Sequence, residues 1–324
     1  MKWSEHADST LNLLLENMVA EGLLAQRSGI DATPAQIVAG SMQMLADVIR
    51  SSMPLARIMD TSDLVLRASG PGVKEDSLRL SAVNWLTSAV QQSIRKLSSN
   101  LFTLADRDKK GFARSVELQL TGFAPGSLYA GIAVVAPSTG LFQPDDEPVF
   151  LSIRDTVRKL PAVTQCIDDH MAEAVREVIS DPAQRDAAYE ALYRLAPARG
   201  KDITSISLKS PGVKSAHLGR HERQILRETI RKPLMANRRV GSFVGLLREV
   251  DLDFKRFHLR GVRGIGGLRC VIGDLEPSMA KRLLGEYVKV EGEYEQDSSG
   301  RPRLMLVNSA SVLPRAEQMK LGLP

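Results

Sequence analysis

The 324-residue sequence predicts a multidomain α+β protein, with a helical N-terminal region, a mixed α+β middle domain and a small C-terminal β-barrel. Three observations predict this class. Apolar residues recur at three-and-four spacing through the first fifty positions. Helical and strand patterns then mix without the regular alternation of a parallel sheet. From about Arg239 onward, short runs are separated by turns. The boundaries follow as a helical region at 1–60, an α+β domain at 61–215, a basic helix or linker at 216–238 and the barrel at 239–316.

Taken in order, Leu11, Leu14, Leu15, Met18, Val19 and Leu23 form the stripe of a first helix over 9–26. Thr33-Pro34 starts a second over 34–50, with Thr33 as cap and Pro34 at the first helical position, and Met53-Pro54 closes it. Two such helices carry more apolar surface than a pair can bury, which predicts self-association or docking to a partner. A strand over 63–68 ends at Ser69-Gly70-Pro71-Gly72. A long helix spans 80–104, and alternating runs at 116–120 and 128–135 form a hairpin. A loop over 137–148 precedes helices at 149–160 and 162–179. Asp181-Pro182 opens another helix, Ile203–Leu208 reads as a strand, and Arg220–Lys232 is a strongly basic helix.

Composition excludes several classes. Apolar residues make up 43% and charged residues 25%, and no apolar run approaches the length of a membrane span. The start, Met1-Lys2-Trp3-Ser4-Glu5-His6, is too polar for a secretory signal, and two cysteines exclude a disulfide framework. A reducing cytoplasm is the expected compartment. The net charge of +5 hides an asymmetry: residues 201–270 hold 16 Lys and Arg against 6 Asp and Glu, while the rest of the chain is net negative. Such polarity points to a polyanionic partner for that stretch.

The C-terminal third orders its elements as strands at 242–250, 256–260 and 267–272, a helix at 277–284, then strands at 287–294 and 304–307. Gly285 ends the helix, and Val288-Lys289-Val290-Glu291-Gly292 fits the bend of a small barrel. Three strands, a helix and two strands resemble the OB-fold over about 80 residues; an SH3-like barrel is the alternative. The resemblance implies a binding module for oligonucleotides or oligosaccharides, on the face of its second and third strands.

Alternation sends Phe257, Leu259, Leu268, Cys270 and Ile272 inward, and turns Arg256, His258, Arg260 and Arg269 out. Arg263 and Arg248 lie near the rim of this face, and Arg220, Arg223, Arg227 and Arg231 form the basic helix. Guanidinium groups match phosphates, and the absence of aromatics on the face predicts phosphate contacts without sequence preference.

No motif names a reaction. Arg263-Gly264-Ile265-Gly266-Gly267 lacks the ending of a phosphate loop and reads as a hairpin turn. Cys166, Asp169 and His170 form a weak metal set with no second cluster, and Cys270 and His258 fall on opposite faces of their strands. No metal or cofactor is expected. The reading is therefore a non-enzymatic nucleic-acid-binding accessory protein that self-associates. The alternative is a protein–protein adaptor or structural subunit of a bacterial defence or toxin–antitoxin assembly.

Overall fold

The computed structural model describes residues 2–74, 77–104, 117–124, 128–135, 148–167, 171–198, 202–233 and 235–314. Helix α1 (Trp3–Arg27) and helix α3 (Ala39–Thr61) form an antiparallel hairpin, with a single turn of helix, α2 (Pro34–Ile37), between them. Asp60 near the end of α3 accepts hydrogen bonds from the first amides of α1, Trp3 at 2.8 Å and Ser4 at 3.0 Å. Those amides have no partner inside their own helix, so the carboxylate satisfies them and meets the positive helix end. At the other end, Ser41 donates to Glu21 at 2.8 Å.

Three expectations for this region change: the first helix begins at Trp3 and not at residue 9, and the second differs in two ways. The second helix breaks at Val38, after the Thr33 cap, and then runs through Met53-Pro54 to Thr61. Pro54 forfeits one backbone hydrogen bond, but the turns beyond it bury Ala56 and Ile58, and that packing outweighs the break.

The middle domain is built on a five-stranded sheet in the order β4-β5-β1-β6-β7, every pair antiparallel. Its strands are β1 (Leu64–Ser69), β4 (Glu117–Ala124), β5 (Leu128–Val135), β6 (Ser205–Lys209) and β7 (Ala216–Leu218). A short ribbon, β2 (Val73–Lys74) and β3 (Ser77–Leu78), stands apart. The alternation of β1 organises both faces. Leu64, Leu66 and Ala68 join a core with helix α4 (Leu80–Leu104), helix α5 (Pro148–Gln165) and helix α7 (Pro182–Leu195). Val65 points the other way, onto Ile58 of α3.

The helix expected to stop at residue 160 continues through Pro161 to Gln165, and a separate helix α6 (Met171–Val178) follows. Ile153, Val157, Leu160 and Val163 are all buried in the core, which holds α5 together across the proline. The turn at 125–127 and the loop at 136–147, including the acidic Asp145-Asp146-Glu147, lie outside the described residues. The sheet also extends past residue 215. Strand β7 pairs with β6, and helix α8 (Arg220–Arg231) buries Leu226 and Ile230 in the same core, so 216–231 is packed structure, not a linker.

The last five strands are β8 (Arg239–Asp251), β9 (Arg256–Val262), β10 (Gly266–Ile272), β11 (Tyr287–Gln296) and β12 (Pro302–Val312), with helix α9 (Pro277–Arg282) between β10 and β11. They pair in a ring, β10-β12-β11-β8-β9, in which β9 returns to β10. All the pairs are antiparallel except β10 with β12. Phe257, Leu259, Leu268, Cys270 and Ile272 fill the interior with Val288, Val290, Met305 and Val307, as the alternation predicts.

Candidate functional site

Helix α7 decides what becomes of the arginine face. Its start is the cap-and-proline signature: Asp181 accepts from the amides of Ala183 at 2.8 Å and Gln184 at 3.1 Å, with Pro182 at the first helical position. Ala183, Ala187, Ala188 and Ala191 let neighbouring elements approach closely, and the helix is buried along most of its length. Asp186 and Glu190, four residues apart, share one face. That face meets β9 and β10.

Arg256 is 1% exposed and Arg269 0%, which overturns the expectation that they face solvent. Arg256 forms a fork on Asp186, with Nη2 donating to Oδ1 at 2.6 Å and Nε to Oδ2 at 3.0 Å. Arg269 bridges both acids, Nε to Asp186 Oδ2 and Nη2 to Glu190 Oε1, each at 2.6 Å. Asn100 of α4 donates to the other oxygen of Glu190 at 3.2 Å. His258 is buried too, its Nε2 lying 3.2 Å from Nη1 of Arg269. A guanidinium only donates, so Nε2 is the acceptor and the ring proton sits on Nδ1. Beside this group Arg185 donates to Glu295 of β11 at 2.6 Å, and Arg303 of β12 donates to Asp181 at 2.8 Å. The inward and outward alternation of β9 and β10 is as expected. What was missing was the helix that covers the outward side.

Burial alone would raise the pKa of Asp186, but the charges of Arg256 and Arg269 and their hydrogen bonds outweigh it and hold the carboxyl well below the usual range. A carboxyl whose folded pKa is depressed contributes stability in full above its unfolded value of about 4, and loses it as pH falls below that value. The melting temperature is therefore expected to drop below about pH 4, and Asp186→Asn to flatten that dependence. Thermal melts of both proteins from neutral pH to pH 3 check this; parallel curves would assign the acid sensitivity to other carboxylates. Burial also pushes the Cys270 thiol upward, so it is a packing group inside the barrel and no nucleophile.

No protein-family model matches the chain, and no curated protein sequence matches it.

The remaining basic residues divide in two. Arg223 is half-buried: Nη1 donates to the carbonyls of Tyr193 and Ala196 at 2.5 Å each, and its guanidinium lies 4.0 Å from the Tyr193 ring centre. It closes the C-terminal end of α7, where carbonyls lack helical partners, so it anchors α8. Arg220, Arg227 and Arg231 are exposed, as are Arg248 of β8 and Arg263 in the β9–β10 turn; Arg260 is half-buried. On α8, positions 220, 224, 227 and 231 fall on one stripe about 16 Å long. Leu226, Thr229 and Ile230 face the core on the other side. Among the described residues, no carboxylate pairs with Arg220, Arg227 or Arg231.

Of the metal set, Cys166 lies just beyond the end of α5 at Gln165, and Asp169 and His170 lie outside the described residues. Among the described residues no cluster of His, Cys, Asp and Glu is placed to hold a metal, and no helix is long and apolar enough to cross a membrane.

Proposed function

We propose that the chain binds nucleic acid without catalysis, through the exposed stripe of α8. The observation that carries this reading is three solvent-facing arginines on one helix face, with no carboxylate partner among the described residues, held in place by a fourth arginine that is itself anchored. A cation with a protein partner has little left to offer a phosphate. One without a partner, on a rigid element, keeps its donors for the ligand.

The connectivity of the C-terminal strands supports reading the barrel as OB-like, with β10 and β12 parallel and a helix between the third and fourth strands. Its second and third strands are occupied by α7, however, so Arg256, His258 and Arg269 belong to the interior and the barrel serves as a scaffold. Arg248 and Arg263 remain open to solvent for additional phosphate contacts.

The test is a binding series on single- and double-stranded DNA and RNA at several salt concentrations, with the triple variant Arg220→Ala, Arg227→Ala, Arg231→Ala. Affinity is expected to fall about tenfold or more, and the slope of log affinity against log salt to flatten by roughly 0.7–0.9 per lost contact. Stability should stay within about 0.5 kcal/mol per substitution. A wild-type chain that binds none of these polymers, or a triple variant with an unchanged slope, defeats the proposal.

A further inference from the structure

The α1–α3 hairpin packs one stripe of each helix on the other and leaves much of its apolar surface uncovered. Leu15 is 47% exposed, Val19 63%, Met42 50% and Ile49 49%. At about 100° per residue, Leu15 and Val19 lie on one flank of α1, beside the stripe through Leu14 and Met18 that meets α3. On α3, positions 42, 46, 49 and 53 form a stripe at the equivalent flank, beside the one through Ser41, Leu45 and Val48. The helices are antiparallel, with Glu21 beside Ser41 and Trp3 beside Asp60. That pairing brings both flanks to the same side of the hairpin. Leu15, Val19, Met42, Ala46, Ile49 and Met53 therefore form one continuous apolar plate.

Among the described side chains, the plate carries no charge along its middle. Glu21 lies on the opposite flank of α1, where it accepts from Ser41, and by the same spacing Glu16 and Asp47 fall away from the plate. Asp8 and Arg57, of opposite sign, stand at the end nearest the sheet. We infer that this plate is the contact between two copies of the chain, which pack hairpin on hairpin as a four-helix bundle.

Two arguments select a second copy. A two-fold contact sets a surface against itself, so every charge at its centre would meet its own like; this surface has none there. Its size also fits. A 25-residue helix is about 37 Å long, and two helices side by side are roughly 20 Å across. The whole hairpin face, with the plate at its centre and polar residues such as Asn12 and Gln26 at its rim, is about 700 Å², close to the roughly 800 Å² that each partner contributes to a stable interface. The inference does not depend on α8 or on any nucleic acid.

Light scattering at micromolar concentration tests it. The wild type should run at twice the chain mass of 35.5 kDa. Val19→Glu and Ile49→Glu should raise the dissociation constant at least a hundredfold and give monomers. Leu24→Glu, on the opposite flank and 62% exposed, should leave the dimer intact. Far-UV circular dichroism checks that each variant keeps its helix content; should a Glu variant lose helix, Val19→Ser must still weaken association measurably. A monomeric wild type overturns the inference, as does a dimer broken by Leu24→Glu and not by Val19→Glu. A wild-type monomer that sediments with phosphatidylglycerol vesicles overturns it as well, by giving the plate to a membrane surface.

Discussion

Replacing Arg269 with Ala is expected to cost about 3–5 kcal/mol of stability. The substitution leaves Asp186 and Glu190 buried, with only Arg256 to compensate two carboxylates. It also removes the donor to His258 and opens a cavity between α7 and β10. The cost comes from stranding charge and not from losing a favourable pair, which gives the prediction a second arm. Replacing Asp186, Glu190, Arg256 and Arg269 together with apolar residues of similar volume should be far milder than Arg269→Ala alone. Denaturant unfolding of the single and quadruple variants measures both. A quadruple variant as damaged as the single one would show that the network contributes net stability in its own right.

Gly292→Ala is the second large effect, expected to cost about 3 kcal/mol and to disturb the strand ring. Gly292 stands at an irregularity of β11, where Glu291 faces Ser309 and Gly292 faces Val307, so Asn308 is skipped. A Cβ there would collide with the backbone carbonyl oxygen of Leu306 and lie 3.1 Å from the Cα of Val307. Those atoms are backbone of the paired strand, which a side-chain rotation cannot relieve. Gly261→Ala is the comparison. Its Cβ would meet nothing within 4 Å, and its cost is confined to the left-handed backbone at φ 65°. Melts that rank Gly292→Ala no worse than Gly261→Ala would refute the close approach.

Much of the architecture is legible in local pattern. The stripe over 80–104 matches α4 at both ends, and Asp181-Pro182 opens α7 where a cap and a proline should. In the C-terminal strands alternation alone selects Phe257, Leu259, Leu268 and Cys270 for the interior. These succeed because hydrophobic period and capping are properties of a few consecutive residues. Pro54 and Pro161 mislead for the complementary reason. A proline is a local penalty, and the packing of neighbouring residues, Ala56 and Ile58 in one helix and Leu160 and Val163 in the other, exceeds it.

The arginines mark the limit of that kind of reading. Alternation specifies that Arg256 and Arg269 leave the barrel interior, but it carries no information about what lies outside. Their partners are 70 and 83 residues away along the chain. Counting charge over 201–270 has the same blind spot, since Asp186 and Glu190 compensate two of its arginines from beyond its edge. A signal was present in α7, an alanine-rich helix with two acids on one face, and it acquires meaning only beside β9 and β10. The sequence by itself determined most of the elements, though not all their ends, the inside of the barrel and the excess of positive charge. Which of those charges face solvent was decided by tertiary structure, because an ion pair forms by proximity in space, and the folded chain alone sets which charges are near.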